Sequence, residues 1–451
     1  MLDTIVGIAT APGEGGIAIV RVSGEEAAKL LERVFVPYNT KRRPPFESHR
    51  LMAGRVMDGG EMIDEAMAVV MYAPNSYTRE DVCEIHTHGG GAAASAVVRL
   101  LIRLGARPAE AGEFTRRAFM NGRIDLMQAE AVMGVISAHS AAALKAEARQ
   151  LCGGQSQFVR QAQDQLRALL AGLEAHIDYP DEIDEAEALA GLAGGLDRLI
   201  AFLSAAIDER SARILREGLH VALCGRPNAG KSTLFNALLG EDKAIVTDIP
   251  GTTRDVLEGS FSLNGVNIVL QDTAGLRESG DTVERIGVER ARNALRKADA
   301  ALLLVDAAKP LDRDELSLLR QEMPCPCAVL LNKEDAGECV TVEQVEERTA
   351  HRPILRISAR DGSGMRELRA YLQEQCRIPD ECLLTHERHM NVARHALDRL
   401  LSARKGLANG DFLDLTAVDL HEALYLLGRI TGDSVDEQLL DDIFFRFCVG
   451  K

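Results

Sequence analysis

Nine residues, "GRPNAGKST" at positions 225–233, constrain this chain more than any other stretch. They match G-x-x-x-x-G-K-[ST] and stand between an apolar run, "HVALCG", and the helical "TLFNALLG". A strand, a glycine-rich turn and a helix in that order let backbone N–H groups converge on phosphate, and the helix N-terminus adds to the field. In such a unit Lys231 reaches the β- and γ-phosphates and the Ser232 hydroxyl binds Mg²⁺, while Asn228, Ala229, Gly230 and Thr233 complete the cradle. The motif demands an α/β domain around a buried parallel sheet. The flanking sequence supplies one: "HVALCG", "NIVLQD", "AALLLVD" and "CAVLLN" are apolar runs that each end on a polar residue or glycine.

The ends of those runs carry the rest of a nucleotide site. "DTAG" closes one of them, putting Asp272 near Mg²⁺ and the Gly275 N–H near the γ-phosphate, with Thr273 and Ala274 between. "NKED" closes another, bringing Asn332, Lys333 and Asp335. A carboxylate at Asp335 accepts from guanine N1–H and the N2 amine together, an arrangement adenine lacks. Such discrimination reaches ~10⁴-fold, because the wrong base leaves buried polar groups unpaired. "SAR" (Ser358, Ala359, Arg360) frames the base from the other side. "TDIPGTTRD" (Thr247, Asp248, Ile249, Pro250, Gly251, Thr252, Thr253 and onward) lies where a γ-phosphate-sensing switch belongs, with Thr253 the candidate Mg²⁺ ligand. Leu276 follows "DTAG", where Ras-like proteins carry the glutamine that orients water. Hydrolysis here therefore needs another group for the water and another positive charge at the β–γ bridge.

At 451 residues the chain exceeds what one core holds, about 250–300 residues, so several domains are expected. Residues 1–118 alternate strand-like runs with short helical pieces and read as an α+β domain. From 119 to 216 the pattern is Ala/Leu-rich helix, 217–376 is the α/β domain, and 377–451 returns to helix. The fold class expected is multidomain α/β, with the P-loop domain inserted into an all-α one. "DYPDEIDEAEA" reads as a solvated connection between helices, since the EF-hand spacing is absent. His86 and His88 share a strand face without a third ligand and read as structural or pocket-lining.

Nine scattered cysteines without metal-ligand spacing point to a reduced, cytoplasmic setting, with Cys325 and Cys327 as loop or strand-edge thiols. Neither a signal peptide nor a membrane-spanning run is expected. The formal charge of −16 leaves no basic segment, so a partner is expected to share in neutralising any RNA.

"GRPNAGKSTL", "GTTRD", "DTAGLR", "NKED", the upstream "GEFTRRAFMNGRIDLMQAEAV" and the terminal "FCVGK" together resemble the MnmE (TrmE) family of tRNA-modification GTPases. The resemblance covers essentially the whole chain. It implies a K⁺-dependent GTPase in which Asn228, Thr247 and Thr252 side chains and the Ile249 carbonyl ligate the ion, which stands in for an arginine finger across a homodimer. Glu284 falls at the family's water-orienting glutamate. The amino-terminal domain then resembles the folate-binding fold, with Arg21, Glu80, Arg123 and Lys451 contacting a 5-formyl- or methylene-tetrahydrofolate. The family usually has Lys at position 123, so charge is kept but geometry is not guaranteed. The implied reaction adds an aminomethyl or carboxymethylaminomethyl group at C5 of the wobble uridine (position 34) of certain tRNAs, with the FAD-dependent partner MnmG (GidA).

A ribosome-assembly GTPase would share the G domain but not the first 118 residues or "CVGK". A folate-binding scaffold that only senses nucleotide is the other alternative. "CVGK" itself fits a prenylation signal poorly, with Gly at an aliphatic position and a terminal Lys. "LLDDIFFRF" is expected to dock as a helix, and Gly450 to let the last residues turn freely, presenting Cys448 and Lys451 at a domain junction; the family resemblance implies that Cys448 then lies, as a reactive thiol, beside the one-carbon unit.

Overall fold

A computed structural model describes residues 3–179, 184–241, 257–272, 295–337, 339–349, 351–379 and 384–450. The chain divides into two compact units. One comprises Met1–Ile136, Arg149–Leu203 and Val392–Lys451, the other Ser137–Ala148 and Ser204–Asn391.

The first unit opens with a seven-stranded sheet of β1 (Ile5–Ile8), β2 (Ile17–Ser23), β3 (Phe35–Pro37), β4 (Met52–Asp58), β5 (Glu61–Met71), β6 (Val82–His88) and β7 (Arg107–Pro108), ordered β3-β4-β5-β6-β2-β1-β7. All pairings are antiparallel except β1 with β7. Alternation puts Val20, Val22, Ile85 and Val70 on the buried face, where Leu30, Leu31, Val97 and Leu101 from helices Ala27–Val34 and Gly91–Arg103 join them in one core.

The long helices of this unit include Gly154–Asp178, Glu185–Ala206 and Leu413–Thr431, the last packed along the first. Phe158 stacks on Phe202 at 4.2 Å, and Arg404 binds Asp197 at 2.8 Å. Contrary to expectation, Ala186–Glu217 holds an 18-residue window of mean hydropathy 1.4, enough by length and composition to cross a membrane. Within the first unit its Leu196, Leu199 and Leu203 are buried and its Asp197 is ion-paired with Arg404, while a third of the window in all is buried.

The chain end docks as expected. Leu440, Ile443, Phe444 and Phe447 pack with Leu126 and Ala129. Beyond them the tail is not free, which corrects the expectation for Gly450. Val449 forms an antiparallel bridge with Ala111, and Gly450, at φ +95°, lies where a Cβ would sit 2.0 Å from the Ile8 carbonyl oxygen. Glycine is required by close approach, and the same contact holds the tail in place.

The second unit holds a six-stranded sheet, β8 (Leu219–Gly225), β9 (Leu257–Leu263), β10 (Val266–Asp272), β11 (Ala300–Asp306), β12 (Cys327–Asn332) and β13 (Ile354–Arg356), ordered β13-β12-β11-β8-β10-β9. Only β9 runs antiparallel. Every residue of β11 is buried: Leu302 and Leu304 enter one core with Leu234, Leu238 and Leu368, while Leu303 and Val305 enter another with Leu319, Val329 and Val345. Helices therefore cover both faces, as a parallel sheet requires. Cys327 stands at the edge of its strand as expected, as the first residue of β12, and is buried there. Burial pushes its thiol up to about 11, so it is inert at neutral pH.

One ion cluster ties the start of the first unit together. Arg117 is 5% exposed; its Nη2 donates to Asp3 Oδ1 and Glu113 Oε1, both at 2.9 Å, and its Nη1 to the Asp3 carbonyl and Glu80 Oε2 at 2.9 and 3.1 Å. Arg107 hydrogen-bonds Asp3 as well and, against the cost of burial, holds that carboxyl down at about 2. Because the folded value is depressed, the Asp3 contribution is present above pH 4 and is lost as pH falls toward 2. Arg117→Ala leaves Glu80 with only the Ser23 hydroxyl and Glu113 with Arg107, and is expected to destabilise by about 2–3 kcal/mol, as losing hydrogen bonds between charged groups does. Urea denaturation of the full chain checks it; a loss below about 1 kcal/mol would show the cluster to be dispensable.

Candidate functional site

In the second unit β8, β11 and β12 are parallel neighbours whose carboxyl ends line up, with Gly225 opposite Leu304 and Asp306 opposite Asn332. The phosphate loop leaves β8 and enters the helix Lys231–Glu241, passing through two left-handed residues, Asn228 at φ +66° and Gly230 at φ +99°. A Cβ on Gly230 would fall 2.1 Å from Asn332 Nδ2. That closeness is functional in kind, because Asn332 is the strut of the site. It is 2% exposed, its Nδ2 donates to the Ala229 carbonyl at 2.8 Å, and its Oδ1 accepts from the Ala359 N–H at 3.1 Å. One side chain thus joins the phosphate loop, the "NKED" strand end and the "SAR" loop.

Lys333 makes a second strut. Its Nζ donates to the Asn228 carbonyl and to Asp306 Oδ2, both at 2.7 Å. Asp335 accepts from the buried Ser358 hydroxyl at 2.9 Å, which aims an otherwise exposed carboxylate; Arg360 is exposed beside it. Lys231 is 4% exposed and donates to the Gly225 and Arg226 carbonyls at 2.7 Å each. Burial lowers its pKa, opposed by Asp272. The Ser232 hydroxyl lies 3.5 Å from Oδ2 of the buried Asp272, with Thr233 exposed next to it. A hydroxyl and a carboxylate oxygen side by side at the end of a phosphate loop suit a hard divalent cation.

Asp306 escaped the sequence reading. It closes "AALLLVD" as the other acids close their strands, but no linear motif says that it holds Lys333. Thr247, Asp248, Ile249, Pro250, Gly251, Thr252, Thr253, Thr273, Ala274, Gly275, Glu284 and Lys451 lie outside the described residues.

The first unit brings together other predicted residues. Arg21 pairs with Glu84 at 2.8 Å, its guanidinium 5.2 Å from the Tyr77 ring centroid; Arg123 lies over the same ring at 4.8 Å. Tyr77, whose hydroxyl shares a hydrogen bond with Thr115 at 2.9 Å, was not anticipated; an aromatic in "NSYTRED" was its only signal. Glu80 accepts from Ser23, two residues along the same face of β2 from Arg21, at 2.7 Å, and from Arg117. The tail reaches this side of the sheet too: Gly7, the register partner of Arg21, would place a Cβ 3.4 Å from Gly450 Cα. Cys448 is exposed, and its carbonyl accepts from the Gly112 N–H at 3.4 Å. His88 pairs with Asp64 at 2.8 Å and His86 with Glu84 at 3.3 Å, and among the described residues no three potential ligands gather for a metal.

A phosphate loop clasped by "NKED" and "SAR" strand ends on a parallel sheet defines a P-loop GTPase, an enzyme that binds GTP and Mg²⁺. Which one follows from the rest of the chain. Residues 4–123 match the model described as the GTP-binding protein TrmE N-terminus, and residues 126–448 match the MnmE helical domain. The tRNA modification GTPases MnmE of Carboxydothermus hydrogenoformans and Bacillus velezensis are 42% and 41% identical over all of this chain and of theirs. That of Roseiflexus is 44% identical over 100% of this chain and 99% of its own. The chain belongs to the MnmE family. Solved structures with likeness include the G domain of the T. maritima FeoB iron transporter (29% identity, 35% of this chain and 99% of that one, TM-score 0.28) and Aquifex aeolicus Era (25%, 40% and 66%, TM-score 0.29).

Asp306→Asn removes the charge that holds Lys333 and is expected to weaken GTP binding about tenfold, as losing a hydrogen bond between charged groups does. Titration with a fluorescent GTP analogue measures it, and unchanged affinity would assign Lys333 no need of its partner. Gly230→Ala should abolish binding outright in the same assay while the circular dichroism stays that of the parent.

Proposed function

We propose that the chain is a cytoplasmic, K⁺-dependent tRNA modification GTPase. With the FAD-dependent MnmG it places an aminomethyl or carboxymethylaminomethyl group on C5 of the wobble uridine, using a tetrahydrofolate one-carbon unit. The observation that carries this reading is the pairing, in one chain, of a guanine-nucleotide site with a second cluster where Arg21, Tyr77 and Arg123 stand near the docked tail. Relatives named tRNA modification GTPase, matched over their full length, supply the reaction class.

Residues 1–118 would bind folate and pair two copies. Residues 119–216 and 377–451 would form the helical domain, with the G domain, 217–376, inserted between them. Asn332, Lys333, Asp335, Ser358, Ala359 and Arg360 would hold guanine; Asn228 to Thr233, the stretch 247–253 and Asp272 to Gly275 would surround the phosphates. Ser232 and Thr253 would ligate Mg²⁺, and Asn228, Thr247, Thr252 and the Ile249 carbonyl K⁺. When bound, potassium supplies the positive charge that GTP hydrolysis needs at the β–γ bridge. Glu284 would orient the water that Leu276 cannot. Arg21, Arg123 and Lys451 suit the carboxylates of a folate tail and Glu80 the pterin N–H groups, with Arg117 behind Glu80 holding it in place.

Asn228→Ala should erase K⁺ stimulation of turnover while GTP affinity holds, and a wild type equally fast in K⁺ and Na⁺ would end that part of the reading. Glu284→Ala should lower turnover at unchanged affinity. Cys448→Ser should keep fold and GTPase activity but lose the modification. Mass spectrometry of wobble uridines from a deletion strain carrying the variant checks this, and full modification there would return Cys448 to a bystander.

A further inference from the structure

One connection in the first unit departs from the acidity of the chain, against the expectation that no segment is basic. Between β3 and β4, residues 39–50 hold Lys41, Arg42, Arg43 and Arg50 against a single carboxylate, Glu47, in a chain of net charge −16. Glu47 is taken by Arg50. Among the described residues Lys41, Arg42 and Arg43 form no ion pair, and Lys41 and Arg43 are exposed. Adjacent cations repel one another, a cost that an anionic partner removes.

The connection is held in shape. The Lys41 N–H donates to Asn39 Oδ1 at 3.1 Å and the Arg42 N–H to the Asn39 carbonyl at 2.9 Å, an Asx-type turn at the root of the basic run. Further on, Phe46 is buried edge-on against Phe35 at 6.3 Å, and the His49 N–H donates to the Val70 carbonyl at 2.8 Å. The charges therefore stand on a fixed frame, and binding has little order left to impose.

An aromatic side chain stands beside them. Tyr38, just before the turn, is 44% exposed, and its N–H donates to the Ala53 carbonyl at 3.0 Å. The Arg55 guanidinium, from an exposed position on β4, lies over the Tyr38 ring at 5.1 Å. Glu65, the register partner of Arg55 on β5, forms no ion pair with it. A planar ring and guanidinium give an unpaired base something to stack on, and neighbouring cations suit the phosphates that flank such a base. A lipid headgroup would use the cations alone.

We propose that the β3–β4 connection is an RNA-contacting surface, on which Lys41 and Arg43 meet backbone phosphates and Tyr38 with Arg55 stacks an unpaired base. That the RNA is a tRNA rests on the reading of the preceding section. The surface gives an acidic chain a contact of its own with RNA, beside what a partner contributes.

The test uses the full chain saturated with GDP. An unmodified tRNA transcript is titrated at several salt concentrations into the parent, the double variant Lys41→Gln/Arg43→Gln, Tyr38→Ala and Tyr38→Phe, each checked by circular dichroism and sedimentation velocity. The double variant is expected to lower the salt slope by about one and a half to two. Tyr38→Ala is expected to lose at least about fivefold in affinity at unchanged slope, and Tyr38→Phe to bind as the parent does. Sedimentation, and GTP turnover without RNA, stay at the parent values. The double variant changes only exposed side-chain ends, so it decides the proposal should Tyr38→Ala not fold.

Folded variants that bind the transcript like the parent would overturn the proposal. So would a double variant with altered sedimentation, since the connection then meets a second copy of the chain. Loss of binding to phosphatidylserine-containing vesicles in the double variant, with RNA binding intact, would likewise overturn it in favour of a membrane contact. A parent that binds no tRNA counts against the tRNA reading, and the same variants titrated with oligouridylate then decide the surface. It stands if the parent binds and the double variant and Tyr38→Ala lose affinity, and falls otherwise.

Discussion

The nucleotide site of this protein depends on the order β12-β11-β8 in a parallel sheet. Only when those strands are neighbours do their carboxyl ends, far apart in sequence, present Gly225, Asp306 and Asn332 along one edge. The amide of Asn332 then spans from Ala229 to Ala359, and the ammonium of Lys333 from Asp306 to Asn228. Each such bond adds only about 1 kcal/mol net, but a buried amide left without its partner costs more than the bond is worth. The penalty for misplacement, more than the gain from placement, keeps the guanine-facing and phosphate-facing loops in register.

The first unit uses charge in a comparable way. Arg117 sits among Asp3, Glu80 and Glu113, and that ring of carboxylates would be costly to bury around any neutral side chain. Glu80 is thereby fixed next to the face that carries Arg21. The bridge between Ala111 and Val449 continues the short β7 edge, giving backbone partners to a tail that would otherwise fray and blunting an exposed strand edge.

Chain-wide acidity and local phosphate recognition coexist without conflict. Some of the negative residues are held by internal partners, as Asp125, Asp306 and Asp433 illustrate, and the phosphate loop presents backbone N–H groups and Lys231 whatever the charge of the whole. Net charge speaks to long-range attraction, and a buried donor to what is held on contact.

The sequence by itself determined the parts whose chemistry is contiguous. The phosphate loop, "NKED" and "SAR" each combine a strand end with a turn of fixed residue types, so their place in an α/β sheet could be read directly. The helical segments and the docking of "LLDDIFFRF" were legible from apolar periodicity. Gly450 was misread because a glycine needed for close approach looks like one needed for freedom. Only the tertiary structure decided that Asp306 grips Lys333 and that Tyr77 lies between two arginines. Those roles arise between residues far apart along the chain, and hydrogen bonding and burial act through space, where linear spacing carries no information.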